Sequence, residues 1–262
     1  MLRYRPTFNT QELFADQLPQ GELDTTKHHD VSYLSACCLH QIYSLGSGNR
    51  SLYQSADRSR GALIGGLRGA SILCARLQIE DDGSDHNQAN RERSTSEQKE
   101  WLAWRDQEQA KRLAWSAFEY DCSLCTLTNR RGAVGMGELP DHLPCTEPLW
   151  EAPSAGAWRA LLNQSSVYAR GFPSATLMRR LMSGYPPPAD MPPWGKRLCA
   201  QVIGCVLWDL KQMEVSWMSS NLGLSSLHFA RLQTVSSVLQ AFGSLSTSMS
   251  KATCISELIS YK

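Results

Sequence analysis

The sequence predicts an all-α protein, a multi-helix domain around a long central buried helix at about residues 99–128. Three observations predict it. Between Glu97 and Arg131, the residues Trp101, Trp104, Trp115, Phe118, Cys122 and Cys125 recur at three-, four- and seven-residue multiples, apart from a wider step over a charged middle. Such spacing stacks side chains on one face of a helix. Several other segments carry the same period between Gly and Pro punctuation. No alternating run is longer than a few residues, so nothing suggests a sheet.

Residues 1–25 are polar and read as a loose N-terminal segment. The helical domain is placed at 26–243. Val31 to Ser44 has helix-compatible apolar spacing, ended by Gly46 and Gly48. A second helix is expected from about Arg50 to Leu77, with Leu52, Ala56, Leu63, Leu67, Ala70, Cys74 and Leu77 as its stripe. Gly61, Gly65 and Gly69 recur every four residues on another face. Each glycine costs about 1 kcal/mol of helix propensity against Ala, so a close backbone crossing is expected there as compensation. Residues 81–98 hold no large apolar side chain to offset ordering entropy and read as a flexible surface insertion.

Then comes the long helix. Its second half carries a further row (Leu113, Ala117, Tyr120, Leu124, Leu127), so it should be buried nearly all round. Glu108 precedes Arg112 by four residues, the favourable order for a helix ion pair. Trp158 to Val167 and Ser174 to Met182 read as two short helices. Five prolines within residues 185–194 form a Pro-rich linker that forbids a helix. Beyond it, Leu198, Val202, Val206, Leu210 and Met213 mark one helix, and Leu224 to Phe242 another. Residues 244–262 are a Ser-rich tail, with a short final turn placed at Ile255 to Ile259.

The totals narrow the function. With 26 basic and 25 acidic residues the chain is nearly neutral, and no basic stripe exists to track phosphates. Arg130-Arg131 and Arg179-Arg180 read as helix-end charges. The first residues have no apolar core and do not read as a secretory signal. The longest uncharged apolar run, Leu198 to Trp208, is too short to cross a bilayer. Nine cysteines in that setting imply free thiols in a reducing compartment, cytosol or nucleus.

Cys122-Ser123-Leu124-Cys125 is the one CxxC, with no second pair to complete a zinc site, and it sits in an apolar helix where Cys behaves as a small hydrophobe. His28-His29 beside Asp30 reads as a solvated face, and His40 and His228 as core or boundary residues. Gly132 to Gly137 follows a helix rather than a strand and is a loop, not a dinucleotide fingerprint. No serine-hydrolase elbow, phosphate-binding loop or metalloprotease motif occurs, so the chain is read as no enzyme. Asp121 stands apart: a carboxylate on an apolar helix half needs a basic side chain or a helix N-terminus opposite it, unless it lies on an exposed strip. The tryptophans at 101, 104, 115, 150, 158, 194, 208 and 217 read as core anchors. The other reading is that some line an inter-helix pocket suited to an effector.

The same residues carry a family resemblance. Lys111 and Arg112, Trp115, Phe118 and Asp121, followed by the turn Asn129-Arg130-Arg131, resemble the central motif of the fungal-specific transcription factor domain, without the Gly and Pro of that turn. Glu138-Leu139-Pro140, Leu143-Pro144-Cys145 and Leu149-Trp150-Glu151-Ala152 are similar to a run found in its C2H2-finger members. The stretch ending in Trp208-Asp209 is similar to a later helix of that domain. The likeness spans roughly residues 25 to 215 in the family's order. It implies structural roles for Arg112, Trp115, Phe118, Asp121, Asn129, Arg130, Pro144, Trp150, Trp208 and Asp209.

It also implies a nuclear transcription regulator, acting through a helical regulatory domain and controlling a metabolic or secondary-metabolite gene cluster. Neither a six-cysteine zinc cluster nor a C2H2 finger is in these residues. Zinc is therefore expected only with an upstream DNA-binding module, no other cofactor is expected, and DNA is reached through that module or a partner. Other regulators or co-regulators, and a small-molecule effector, are the partners implied; a membrane is not. A helical interaction or scaffold protein without transcriptional role, or a truncated relative that does not bind DNA, is the competing reading. Target genes, effector, oligomeric state and the choice between activator and repressor lie beyond the sequence.

Overall fold

A computed structural model of the chain describes residues 30–74, 93–164, 170–215 and parts of 233–247. Among them the regular structure is helical, with no strand and one isolated antiparallel bridge between His142 and Pro173. The all-α class is thus what the chain adopts. It divides into two compact units, Met1–Ala70 and Ser71–Lys262.

In the first unit, α1 (Val31–Gly46) and α2 (Arg50–Gly69) form a hairpin. Asp30 caps α1, its Oδ1 accepting from the Ser32 amide at 2.7 Å. Asn49 caps α2, accepting from Ser51 and Leu52 at 2.9 and 3.3 Å. These caps satisfy amides that a helix start leaves without partners. Leu34 and Cys38 from α1, and Ala56, Leu63, Ile64 and Leu67 from α2, are buried. Gln41 joins the hairpin's arms, donating to the carbonyl and hydroxyl of Ser59, both at 3.3 Å.

Two expectations fail here. The second helix stops at Gly69, eight residues before Leu77, and Ser71 turns the chain with a positive φ of 56°. The glycine row is no crossing point: a Cβ built on Gly61 or Gly65 would meet nothing within 4 Å. The two glycines lie exposed, because the buried stripe alone supplies the hairpin's seam.

The second unit is organised on α3 (Arg93–Thr128). It starts six residues before the expected boundary at 99, so residues 93–98 of the assigned insertion are helical. Ser96, Gln98, Lys99 and Glu100 are exposed; good helix formers such as Gln, Lys and Glu suit a solvated turn. The rest of that insertion lies outside the described residues, as do the N-terminal segment, His28, His29, Trp217, His228 and the placed turn at 255–259.

From Leu113 to Leu124 the helix is buried on most sides: Leu113, Ala114, Trp115, Ala117, Phe118, Tyr120, Asp121, Cys122 and Leu124 are all below a tenth exposed. Leu127 is not, at 65% exposure, because the helix ends one residue later and its last turn projects beyond the packing.

After a 3₁₀ turn at Met136–Glu138 come α4 (Glu147–Trp150), α5 (Ala155–Gln164), α6 (Ser174–Met182) and α7 (Pro193–Val215). Helix α5 packs on the first half of α3. Trp158 meets Trp104 at 5.3 Å between ring centroids, and Trp101, Cys145, Leu149, Ala152 and Ala155 complete that cluster. Arg159 pairs with Glu100 at its rim. Residues 185–192 are non-helical, and α7 opens on Pro193, whose missing amide is one a first turn leaves free. The expected tail also differs, since Ser244, Leu245 and Thr247 are helical and Leu245 is buried. Ser244 and Thr247 hydroxyls bond back to the carbonyls of Ala241 and Gly243 at 2.8 and 2.9 Å, which lets polar residues continue a helix.

Candidate functional site

The site forms where the chain leaves α3 and doubles back along it. Asn129 makes the turn, with φ at 50°. The Arg130 amide then reaches the Cys125 carbonyl at 3.2 Å, the six-to-one bond of a Schellman ending. Glycine is the usual residue in that left-handed position and Asn the next best, so this turn closes without the family's glycine. The following segment, 130–147, is fastened to α3 by side chains that reach its backbone.

Asp121 is 1% exposed, and its Oδ2 accepts from the amides of Ala133 at 2.7 Å and Val134 at 3.0 Å. The expectation of a partner is met by loop amides, a source not considered from the sequence. Gly132 explains how they approach: a Cβ there would sit 3.1 Å from the same oxygen. Trp115 donates its indole N–H to the His142 carbonyl at 3.0 Å, and its ring stands edge-on to Phe118 with centroids 5.8 Å apart.

At the far end, Glu108 is 1% exposed and accepts from the Cys145 amide at 2.8 Å. Lys111 Nζ lies 2.5 Å from its other oxygen, Oε2, and Arg112 Nε lies 3.4 Å from Oε1, close enough to pair but not aligned as a hydrogen bond. Arg112 also donates to the Cys145 carbonyl at 3.2 Å and forks onto Glu147 at 3.2 and 3.3 Å. Its guanidinium lies over Trp150 and Trp194, at 4.8 and 5.4 Å from the ring centroids. Arg112 is therefore a hub joining α3, the return segment, α4 and the start of α7. Lys could not replace its planar fork.

Pro144 is buried beside Gly171, whose φ is 115° and where any Cβ would fall 2.0 Å from the Leu143 carbonyl oxygen. The segments on either side are stitched by Leu143 to Phe172 and Ser174 to Asp141 backbone bonds of 2.9 and 2.7 Å. Glu119 fixes α7, accepting from Trp194 Nε1 at 2.8 Å and Arg197 at 3.1 Å. Trp208 is half-buried, and its indole N–H has no hydrogen-bond partner among the described residues. Asp209 reaches Arg131 at 3.7 Å, an exposed pair worth little.

This scaffold lines a partly open cavity of about 290 Å³ between α3, the return segment, α6 and α7. Trp115, Leu139, Leu143, Met178, Val202 and Val206 supply most of its wall, with Met136, Ala175, Cys199 and Ser174. The Ser174 hydroxyl is committed to the Asp141 carbonyl at 2.9 Å. Burial pushes the Cys199 thiol up to about 12, and burial with the Glu108 carboxylate beside it does the same to Cys145. The wall thus presents hydrocarbon and sulfur rather than a proton donor or nucleophile poised near neutrality. Among the described residues no group of three or more His, Cys, Asp or Glu is placed to hold a metal.

Comparison with known proteins decides the family: the fungal specific transcription factor domain matches over residues 6–236. The chain belongs to that family. Over 115 residues it is 27% identical to the zinc finger protein klf1 of Schizosaccharomyces pombe, a match covering 44% of this chain and 14% of that protein. The chain thus corresponds to a small part of that relative's length. No solved structure matches.

Within this fungal transcription factor domain, the structure brings Arg112, Trp115, Asp121, Asn129, Arg130, Pro144 and Trp150 into one fastening between α3 and the segment returning from it. Phe118 supports Trp115, whereas Trp208 and Asp209 lie along α7. Sequence reading missed Glu108 as a buried acceptor, Gly132 and Gly171 as close-approach positions, and the cavity wall on α6. A signal existed for Glu108, which already stood as the acid of the helix pair with Arg112. Nothing local marked the others.

Proposed function

We propose that this chain is the regulatory part of a nuclear transcription factor that works by contact rather than catalysis. The cavity beside Trp115 receives a small apolar effector, and its occupancy shifts the domain between states that co-regulators distinguish. DNA contact comes from a zinc module or a partner, and the genes controlled form a metabolic or secondary-metabolite cluster. Family membership supports regulation of transcription. The observation that carries the effector reading is the cavity itself, about 290 Å³ and lined almost wholly by apolar side chains of three helices and a loop. Sites for small ligands are concave and mostly apolar in this way, and this one lies just under the common size range of roughly 300–1,000 Å³.

Two experiments test it. The uncharged fluorescent probe N-phenyl-1-naphthylamine should bind saturably to the purified chain, and Val206→Phe, which fills the cavity, should weaken binding at least about tenfold. Unsaturable binding, or binding indifferent to Val206→Phe, refutes the effector site. Fused to a foreign DNA-binding domain in fungal cells, the chain should enter the nucleus and change reporter output. A silent fusion that is stably expressed refutes the regulatory reading.

A further inference from the structure

Cys122 of α3 and Cys205 of α7 bring their sulfurs to 3.5 Å across the helix interface, although 83 residues separate them. The CxxC neighbour is directed elsewhere: Cys125 Sγ lies 4.0 Å from Asp121 Oδ1. Cys122 is buried, while Cys205 is partly open to solvent. The pair is therefore asymmetric, with one thiol reachable by a small oxidant and the other held behind it.

The electrostatics run the same way. The hydrogen bond shared with Cys122 holds the Cys205 thiol below its ordinary range, against burial and the Asp121 and Asp209 carboxylates, which push it up. Cys122 is pushed far upward, first by that same bond and then by burial. A disulfide needs its sulfurs at about 2.05 Å, so closing the gap takes about 1.5 Å, within reach of side-chain rotation and a small helix shift.

We infer that Cys122 and Cys205 form a reversible dithiol–disulfide site, oxidised by a hydroperoxide, that fastens α3 to α7. The Cys205 thiolate attacks the peroxide oxygen. The O–O bond breaks, the departing oxygen leaves as water (or an alcohol) after taking a proton, and Cys205 becomes a sulfenic acid. The Cys122 sulfur then attacks the Cys205 sulfur and displaces hydroxide, which leaves as water with the Cys122 proton. Two thiols and one peroxide thus give one disulfide and two small products. A dithiol reductant reverses it. The site does not depend on whether the cavity takes an effector.

The test uses the full chain, reduced and then exposed to graded hydrogen peroxide, with intact mass and non-reducing peptide mapping as readouts. A 2 Da loss and a Cys122–Cys205 cross-linked peptide should appear before any other linkage, and dithiothreitol should remove both. Cys205→Ser should abolish this cross-link, and Cys125→Ser should leave it intact. Cys122→Ser should accumulate a sulfenic acid at Cys205 that dimedone traps. If that variant does not fold, the wild-type peptide map decides alone. Earlier linkage of other cysteines, over-oxidation without the Cys122–Cys205 peptide, or no reaction at peroxide levels that oxidise free cysteine overturns the inference.

Discussion

Two buried carboxylates on α3 do the same job at opposite ends of the return segment, in different surroundings. Glu108 accepts one backbone amide, from Cys145, and lies beside Lys111 and Arg112. Asp121 accepts two, from Ala133 and Val134. Both are 1% exposed. A carboxylate removed from water must be neutralised or hydrogen-bonded in full. At Glu108 two cations lie 2.5 and 3.4 Å from the carboxylate, and at Asp121 two amides of one loop converge on a single oxygen. The end of the segment next to α4 is thus held at a charge cluster, and the end next to the Asn129 turn is a loop bent to aim two successive amides at one oxygen.

The largest effect should come from breaking the charge cluster. Glu108→Ala removes the buried carboxylate that the Cys145 amide, Lys111 and Arg112 all face, a loss of about 3–5 kcal/mol by urea unfolding. A loss below about 1 kcal/mol would mean that Glu147 and the cysteine carbonyl suffice for Arg112.

Asp121→Ala should cost somewhat less, about 2–3 kcal/mol, because two loop amides lose a charged acceptor yet can turn towards water. Gly132→Ala, with its added carbon 3.1 Å from the same oxygen, should cost about 1 kcal/mol. In an Asp121→Ala background that penalty should vanish. A double-mutant cycle with no coupling would separate the glycine from the carboxylate.

Alkaline titration sharpens the contrast further. Cys145 belongs to the charge cluster and Cys199 to the cavity wall, and both thiols are raised to about 12. A raised pKa favours the neutral thiol in the folded state. Its contribution is complete below the unfolded value of about 8.5 and is lost as pH climbs towards 12. Stability should fall by about 1 kcal/mol per pH unit for each thiol above pH 9, and Cys145→Ala and Cys199→Ala should each flatten the slope. A slope unaltered by either change would place both groups in water.

The smallest effect lies in the other unit and has the opposite sign. Gly65→Ala should raise the hairpin's stability by about 1 kcal/mol, since helix propensity improves and the new methyl meets nothing within 4 Å. A destabilisation would restore the close crossing expected from the sequence.

That last case shows where sequence reading works and where it stops. The helices were legible because a core leaves a period of 3.6 in the chain, as Trp101, Trp115, Phe118 and Cys122 do in α3. Asp121 stood out because it interrupts such a stripe, though the sequence left an exposed strip open as the other reading. Its donors were not legible, since backbone amides have no letter and every residue carries one. The glycine row misled because Gly61 and Gly65 are equally spaced whether they face a neighbour or solvent. Cys122 read as a small core hydrophobe, and its neighbour Cys205 is set by how α7 crosses α3, which its sequence neighbours do not show. The cavity draws on four separated stretches, and no local pattern reports a space between them.

The indole nitrogen of Trp115 bears on what the proposed effector pocket could select. Its proton is already given to a main-chain oxygen 3.0 Å away, as the Ser174 hydroxyl's is to another. For the effector proposed above, a guest's acceptor would find neither of these protons free, and only the Ser174 oxygen could still accept from a guest's donor. Under that proposal discrimination would rest mainly on bulk and outline, where one methylene more or less changes affinity by about 1–3 kcal/mol.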